Sequence, residues 1–289
     1  MRVHLLDGTY ELFRHYFAVP KHQTKDGAEV GALRGVLNTV LWMIDEGATH
    51  IAVATDHVIE SFRNDMWRGY KTSAGVEADL LSQFWPLEDA LQAMGVTVWA
   101  MTDLEADDAL ASGAVLAAKD KRVKQVMICT PDKDMGQCVG GKVVQFDRRK
   151  RELRDVDGVR AKFGVEPSSI PDYLALVGDS ADGYPGLQGW GAKSAAKVIA
   201  HYKTIEAIPD DVTTWKVALR GAGVLANTLR DNRDLALLFK DLATLRTDAP
   251  LFSNTDELAW AGPVPSFAKL CDVLDAPELA TRAEKLAAR

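Results

Sequence analysis

Apolar residues along the first half of the chain follow two alternating spacings. Short β-rich runs at Val3–Leu6, Ile51–Ala54, Val96–Trp99, Val126–Cys129 and Val143–Phe146 predict five strands. Between them, Gly31–Asp45 and Leu81–Met94 repeat apolar positions at helical intervals, and the alanine-rich Ala106–Lys119 is a strong helix former. Strands alternating with such helices predict an α/β domain, a parallel sheet flanked by crossover helices. From about Asp155 the strand signal ends. Short helices separated by Pro and Gly take over at Asp172–Val177, Lys193–His201, Trp215–Arg220 and Leu225–Leu238, so this part is expected to be mostly α.

The chain has 289 residues, 47% hydrophobic and 26% charged, which excludes disordered, collagen-like and coiled-coil readings and leaves room for about two domains. Three widely spaced cysteines, Cys129, Cys138 and Cys271, exclude a disulfide framework and a zinc module and point to a reducing compartment. Charges at Asp7 and Glu11 interrupt any signal-peptide core, and no apolar run approaches the ~20 residues of a membrane span. A cytoplasmic protein with no membrane partner is expected. The net charge of −7 by itself argues against a generic polyanion coat.

That inference changes once the acids are located. Asp7 follows the first strand, Asp56 lies just beyond the second, Glu105, Asp107 and Asp108 come shortly after the third, and Asp132 and Asp134 come after the fourth. Carboxyl ends of parallel strands share one edge, where ligands bind, so these carboxylates are expected to converge. Two such charges ~4 Å apart repel by about 4 kcal/mol at an effective dielectric of 20, so the cluster requires cations. Oxygen ligands without His or Cys favour Mg²⁺ or Mn²⁺, and this many ligands suit two or more ions, an arrangement used in phosphate displacement. Asp179 and Asp182 add two acids at the end of an apolar helix. Setting these nine acids aside turns −7 into +2, and a nucleic-acid partner becomes compatible with the charge.

The run Gly186-Leu187-Gln188-Gly189-Trp190-Gly191-Ala192-Lys193-Ser194 places flexible glycines before a helix N-terminus, which attracts phosphate. It resembles a helix-hairpin-helix, a sequence-independent grip on the DNA backbone. A Walker A loop would need Lys at Ala192 and a preceding strand, so an NTPase is excluded. Ser61–Gly75 interleaves Arg63, Trp67, Arg68, Tyr70 and Lys71, as a single-strand contact or, equally, as the buried stripe of a helix. The basic run Arg148–Arg151 reads as a solvated hairpin.

Taken together, Leu6-Asp7-Gly8, Ser61-Phe62-Arg63 with Tyr70-Lys71, Glu105-Ala106-Asp107-Asp108, Thr130-Pro131-Asp132-Lys133-Asp134, Gly178-Asp179-Ser180-Ala181-Asp182 and the Pro185–Lys197 stretch resemble the bacterial 5′-nuclease family of flap endonucleases and 5′→3′ exonucleases. The motifs occur in family order across about residues 1–240. The resemblance implies a PIN-like nuclease domain at 1–164 with a helical arch at about 61–95, and a helix-three-turn-helix DNA-binding domain with C-terminal helices at 165–289. It implies metal-dependent cleavage of 5′-flaps and 5′-ends in DNA replication and repair. Metals would be held by Asp7, Asp56, Glu105, Asp107, Asp108, Asp132, Asp134, Asp179 and Asp182. Lys71 and Arg63 would act at the phosphate together with Asp132 and Asp134, and Tyr70, Lys71, Gly186, Gly189, Gly191, Lys193, Ser194 and Lys197 would contact DNA, with K⁺ at the helix-hairpin-helix. Partners would be DNA with a flap, nick or 5′-end, RNA-primed DNA included. The protein would act as a monomer in the bacterial cytoplasm, at the nucleoid, alongside a DNA polymerase that this chain does not contain.

Three positions depart from the family pattern: Ala74 where Arg is usual, Gly183 where Asn is common, and Thr55 where Phe precedes the Asp. Arg63 or Arg68 is expected to replace the arginine at the scissile phosphate. An aspartyl phosphatase is excluded because its nucleophile would fall at Leu5. A PIN-type ribonuclease and a non-catalytic structure-specific DNA-binding protein are the competing functions.

Overall fold

The apolar run after Met1 becomes β1 (Arg2–Asp7) in the computed structural model, which describes residues 1–289, and Val3, Leu5 and Leu6 lose all exposure there. β1 pairs in parallel with β2 (His50–Asp56), which pairs with β3 (Thr97–Met101); on its other side β1 pairs in parallel with β4 (Gln125–Cys129). The order β3-β2-β1-β4 is the parallel α/β sheet expected from the alternation of strands and helices. Its two central strands are buried almost throughout, as a sheet covered on both faces requires. The helices Gly8–Ala18, Phe84–Ala93 and Ala106–Lys119 pack on these strands, and Gly31–Asp45 packs on Gly8–Ala18. Gly8 starts the first helix so close to β2 that a Cβ would lie 2.6 Å from Val53 and 2.9 Å from the Ala54 carbonyl.

These elements belong to a compact unit made of Met1–Ile59, Ser73–Thr130 and Arg246–Arg289. The C-terminal helices Ser266–Val273 and Pro277–Ala287 pack here, against Phe84–Ala93 and Gly31–Asp45 respectively, rather than with the preceding helical region. The helix expected over Leu81–Met94 is two helices, Ala78–Leu81 and Phe84–Ala93. Pro86 accounts for the break: it lacks an N–H and is tolerated only in a first turn.

A second compact unit comprises Glu60–Thr72 and Pro131–Leu245. β5 (Val143–Asp147) and β6 (Glu152–Arg154) form an antiparallel hairpin here, and the basic run Arg148–Arg151 is its turn. β6 is too short to leave a hydropathy signal. The helices Val156–Phe163, Ile170–Val177, Ala192–Tyr202, Ala222–Asp231 and Arg233–Ala243 enclose a core of Phe163, Leu174, Val198, Ile199 and Phe239, joined by Tyr70 and Tyr184. The helix expected at Trp215–Arg220 is absent: a 3-10 turn ends at Thr214 and the Trp215 indole N–H donates to the Pro209 carbonyl at 2.8 Å. The helix expected over Leu225–Leu238 is interrupted at Asn232, where φ −128° and ψ 27° leave the helical region.

Candidate active site

In the first unit, Asp7, Asp56 and Glu105 stand at or just beyond the carboxyl ends of parallel strands, all nearly buried. Asp7 Oδ1 accepts the Tyr10 N–H at 2.8 Å and caps the first helix, while Oδ2 accepts the Thr130 hydroxyl at 3.0 Å. Asp56 Oδ1 accepts the Ala106 N–H at 2.7 Å, at the positive end of the Ala106–Lys119 helix, and the Asp56 N–H donates to Thr9 Oγ1 at 2.8 Å. Glu105 and Asp108 form a capping box on that helix. Asp108 has no exposure; Oδ2 accepts the Glu105 N–H at 3.0 Å and Oδ1 the Arg246 N–H at 2.8 Å. Both its oxygens thus accept backbone donors, and the bond from the Glu105 N–H helps position Glu105. Asp107, its half-buried neighbour, lies in the first turn of the same helix.

In the second unit, carboxylate oxygens of Asp134, Asp179 and Asp182 lie within 4.8 Å of one another. Asp132 Oδ1 accepts the Asp134 N–H at 3.1 Å, and its carbonyl accepts the Gln145 amide. Asp179 is 2% exposed; Oδ1 accepts the Ala181 N–H at 2.9 Å, and Oδ2 pairs with Lys133 Nζ at 2.7 Å. Asp182 Oδ1 pairs with Lys71 Nζ at 3.1 Å. Asp134 Oδ1 is buried without any hydrogen-bond partner.

The electrostatics follow from this crowding. Burial first, then the charges of Asp132, Asp182 and Asp179, push the Asp134 carboxyl well above the usual carboxylate range. The same surroundings raise the buried Tyr184 phenol, with burial again the main cause. For Lys133, burial pulls the ammonium down, but the bond to Asp179 and the charges of Asp179, Asp134 and Asp132 outweigh it and raise the group. Two lysines do not balance these aspartates, and an unpaired buried carboxylate oxygen is costly. All-oxygen donors and an unsatisfied buried lone pair fit a small hard cation such as Mg²⁺ or Mn²⁺. A cleft of about 380 Å³ lined by Lys133, Gly178, Asp179, Ser180 and Tyr184 adjoins the cluster.

The Glu60–Thr72 segment brings Lys71 to this place. The Lys71 N–H donates to the Asp182 carbonyl at 3.0 Å, and the Lys71 carbonyl accepts Asn64 Nδ2 at 3.0 Å. Trp67 Nε1 donates to the Gly183 carbonyl at 3.1 Å. Gly183 has φ +83°, and a Cβ there would overlap the Gly69 carbonyl oxygen, so glycine in place of the family Asn is what this approach demands.

Several sequence expectations are corrected here. Arg63 is 1% exposed; Nε donates to the Leu242 carbonyl at 2.8 Å, Nη2 to Thr244 at 3.3 Å, and the guanidinium stacks on Phe62. It ties down the end of the Arg233–Ala243 helix, against the expectation that it stands in for the family arginine; Arg68, the other candidate, is exposed. Tyr70 is a core residue with 4% exposure, not a DNA contact. Trp67 packs edge-on against Phe239, the buried-stripe alternative. Lys197 hydrogen-bonds the Ala218 carbonyl, which anchors the helix to the following loop.

Further along, the glycine-rich element leaves a helix N-terminus exposed. Gly189 has φ +83°, and Gly191 caps the Ala192–Tyr202 helix, with Ser194 Oγ accepting the Gly191 N–H at 3.0 Å. Lys193 is exposed in the first turn. Gly186, at φ +69°, packs against the Gly178 backbone and acts as a spacer. Sequence reasoning missed Lys133, whose signal was its place between two of the proposed acids, and Tyr184, a core tyrosine beside them.

Residues 2–164 match the model of the 5′-3′ exonuclease N-terminal resolvase-like domain, and residues 165–266 that of the 5′-3′ exonuclease C-terminal SAM fold. DNA polymerase I of Pseudomonas aeruginosa is 34% identical over 264 residues, covering 88% of this chain and 28% of that protein, so the chain spans little more than a quarter of that relative. A 5′-3′ exonuclease of Buchnera aphidicola is 28% identical, covering 86% of this chain and 87% of that protein. The T5 D15 protein co-crystallized with metal ions shares the fold at a TM-score of 0.67 and 18% identity, covering 99% of this chain and all of the other. No helix is long and apolar enough to cross a membrane. With both family models together spanning residues 2–266, the chain belongs to the 5′-3′ exonuclease family.

Proposed function

We propose that the protein is a divalent-metal-dependent, structure-specific 5′-nuclease that hydrolyses phosphodiesters at 5′-flaps and 5′-ends of duplex DNA. The observation that carries the reading is the Asp134, Asp179 and Asp182 cluster, with Asp134 Oδ1 buried and unpartnered. Family membership supports the reaction, and the carboxylates have the donor chemistry of Mg²⁺ or Mn²⁺ sites.

Asp134, Asp179 and Asp182, with Asp132 beside them, hold divalent metal in one unit; Asp7, Asp56, Glu105 and Asp107 supply further carboxylate oxygens in the other. A metal held by these carboxylates would supply an acidified water and positive charge opposite the phosphate. The chain's own residues set the geometry. Thr130 and the Tyr10 N–H fix the Asp7 carboxylate, the Ala106 N–H fixes Asp56, and Lys133 and Ala181 fix Asp179. Lys71, about a quarter exposed on Asp182, offers its ammonium to a non-bridging phosphate oxygen. The exposed first turn of the Ala192–Tyr202 helix and Lys193 grip a strand by its phosphates, with K⁺ as a partner of the same loop, so sequence preference is weak and affinity falls with salt.

The role proposed for the chain is in replication and repair in the bacterial cytoplasm, at the nucleoid, as a monomer working beside a DNA polymerase on flaps, nicks and RNA-primed 5′-ends. A panel of 5′-labelled single strand, nick, gap, 5′-flap and closed bubble, in DNA and RNA versions with Mg²⁺ and Mn²⁺, tests it. Metal-dependent cutting concentrated at 5′-flaps and 5′-ends of DNA is expected; equal cutting of RNA flaps would favour a ribonuclease, and no cutting with any metal would refute the proposal.

A further inference from the structure

Trp85 is 61% exposed, yet its ring is held in place. The indole N–H donates to the His57 carbonyl at 3.1 Å, and the indole lies parallel to the His57 imidazole, 5.1 Å between centroids and 10° between planes. His57 is held in turn, Nδ1 lying 2.7 Å from Glu88 Oε2. Glu88 is 5% exposed, and its other oxygen accepts the Thr55 hydroxyl at 2.7 Å. The chain Thr55, Glu88, His57, Trp85 therefore runs from a buried strand residue to an open aromatic face. Thr55 stands where the family usually has Phe, and its hydroxyl is what anchors Glu88.

A large indole left open to water and fixed in one orientation gives up rotamer freedom without burying its ring. Such a face is prepared for a flat apolar partner. It stands beside an acid: Thr55, Asp56 and His57 are consecutive at the carboxyl end of β2, and Asp56 is one of the carboxylates assigned above to metal. The ring offers no charge to a phosphate, and its one polar group is already bonded to the His57 carbonyl, which leaves a π-face of the kind on which unpaired bases stack.

We propose that Trp85, backed by His57 and Glu88, is a stacking platform for one unpaired nucleobase of the DNA strand, an assignment that rests on the nuclease reading above and adds a substrate contact to it. Stacking is indifferent to base identity, so the platform selects for an unpaired nucleotide and against an intact duplex.

The test measures binding and cutting separately. Binding of 5′-flap DNA is measured in Ca²⁺ for the parent, Trp85→Ala and Trp85→Phe, with 2-aminopurine walked along the flap strand and a matching series of single abasic positions. Trp85→Ala should weaken binding roughly tenfold, and Trp85→Phe should retain most of the affinity. At one position the abasic strand should erase the difference between the proteins, and 2-aminopurine there should be quenched by the parent and not by Trp85→Ala. A Trp85→Ala deficit that persists at every abasic position, the absence of any deficit, or a parent that binds no DNA would overturn the platform. Cutting in Mg²⁺, run in parallel, separates the two readings: a parent that quenches the base but never cuts refutes the nuclease and leaves the platform standing. A parent that cuts without base dependence does the reverse.

Discussion

The two sets of acids are satisfied in opposite ways. In the Met1–Ile59, Ser73–Thr130 and Arg246–Arg289 unit, Asp7, Asp56 and Asp108 bind backbone N–H groups or a hydroxyl, so their charge is met by the fold itself. In the other unit, Asp134, Asp179 and Asp182 face one another, two lysines offset part of their charge, and Asp134 keeps a buried oxygen with no partner. The first set is preorganised and should hold its shape with or without metal. The second is strained electrostatically and should respond to metal, pH and charge removal.

The largest expected effect concerns chemistry. Asp134→Asn and Asp179→Asn should each lower single-turnover flap cutting by about 10³-fold, several kcal/mol of transition-state stabilisation, while DNA binding in Ca²⁺ persists. Normal turnover by either variant would remove the distinction between the two sets.

Next is a control inside the metal-responsive unit. Arg63→Ala removes a buried guanidinium and strands the Leu242 and Thr244 carbonyls, so denaturant unfolding should show a loss on the order of 3 kcal/mol, with cutting per folded molecule retained. A catalytic loss without a stability loss would return Arg63 to the phosphate. Arg68→Ala should show that converse pattern.

Asp108→Ala should cost about 2 kcal/mol by releasing two backbone donors, whether or not metal is present. Metal-free Asp134→Asn should instead be neutral or stabilising at neutral pH, because it removes a crowded buried charge. Destabilisation by both substitutions would erase the contrast in sign.

The smallest effect is a pH dependence. The folded Asp134 carboxyl titrates above its unfolded value, so the folded state holds that proton more tightly. Its contribution to metal-free stability is fully present below the ordinary carboxylate range and is lost as pH rises through the raised folded value. Mn²⁺ should raise Tm most on the alkaline side of that window. A Tm shift independent of pH, or unchanged in Asp134→Asn, would separate Asp134 from metal binding.

Much of the fold was legible because its signals are local. Gly31–Asp45 and Ala106–Lys119 are helices over the residues their periodicity indicated, and each parallel strand lies within two residues of its apolar run. The misses arise where one residue overrides a pattern: Pro86 restarts a helix, Asn232 breaks another, and Trp215 spends its indole N–H on a turn. The positions of the acids were readable from strand ends, but their partners were not. Nothing in Ser61-Phe62-Arg63 shows that Arg63 bonds carbonyls near residue 243, or that Tyr70 turns into the core, because both depend on contacts distant in sequence.

The interleaving of the two units has a consequence for taking the molecule apart. Cleaving the gene at the boundary between the two family segments would leave the first fragment without Arg246–Arg289, and would divide the other body between fragments, with Glu60–Thr72 and the β5–β6 hairpin on the wrong side. Neither fragment would contain a complete compact unit. Fragment complementation, circular permutation or insertion should therefore be attempted at exposed turns such as Arg149–Arg151 rather than at 164.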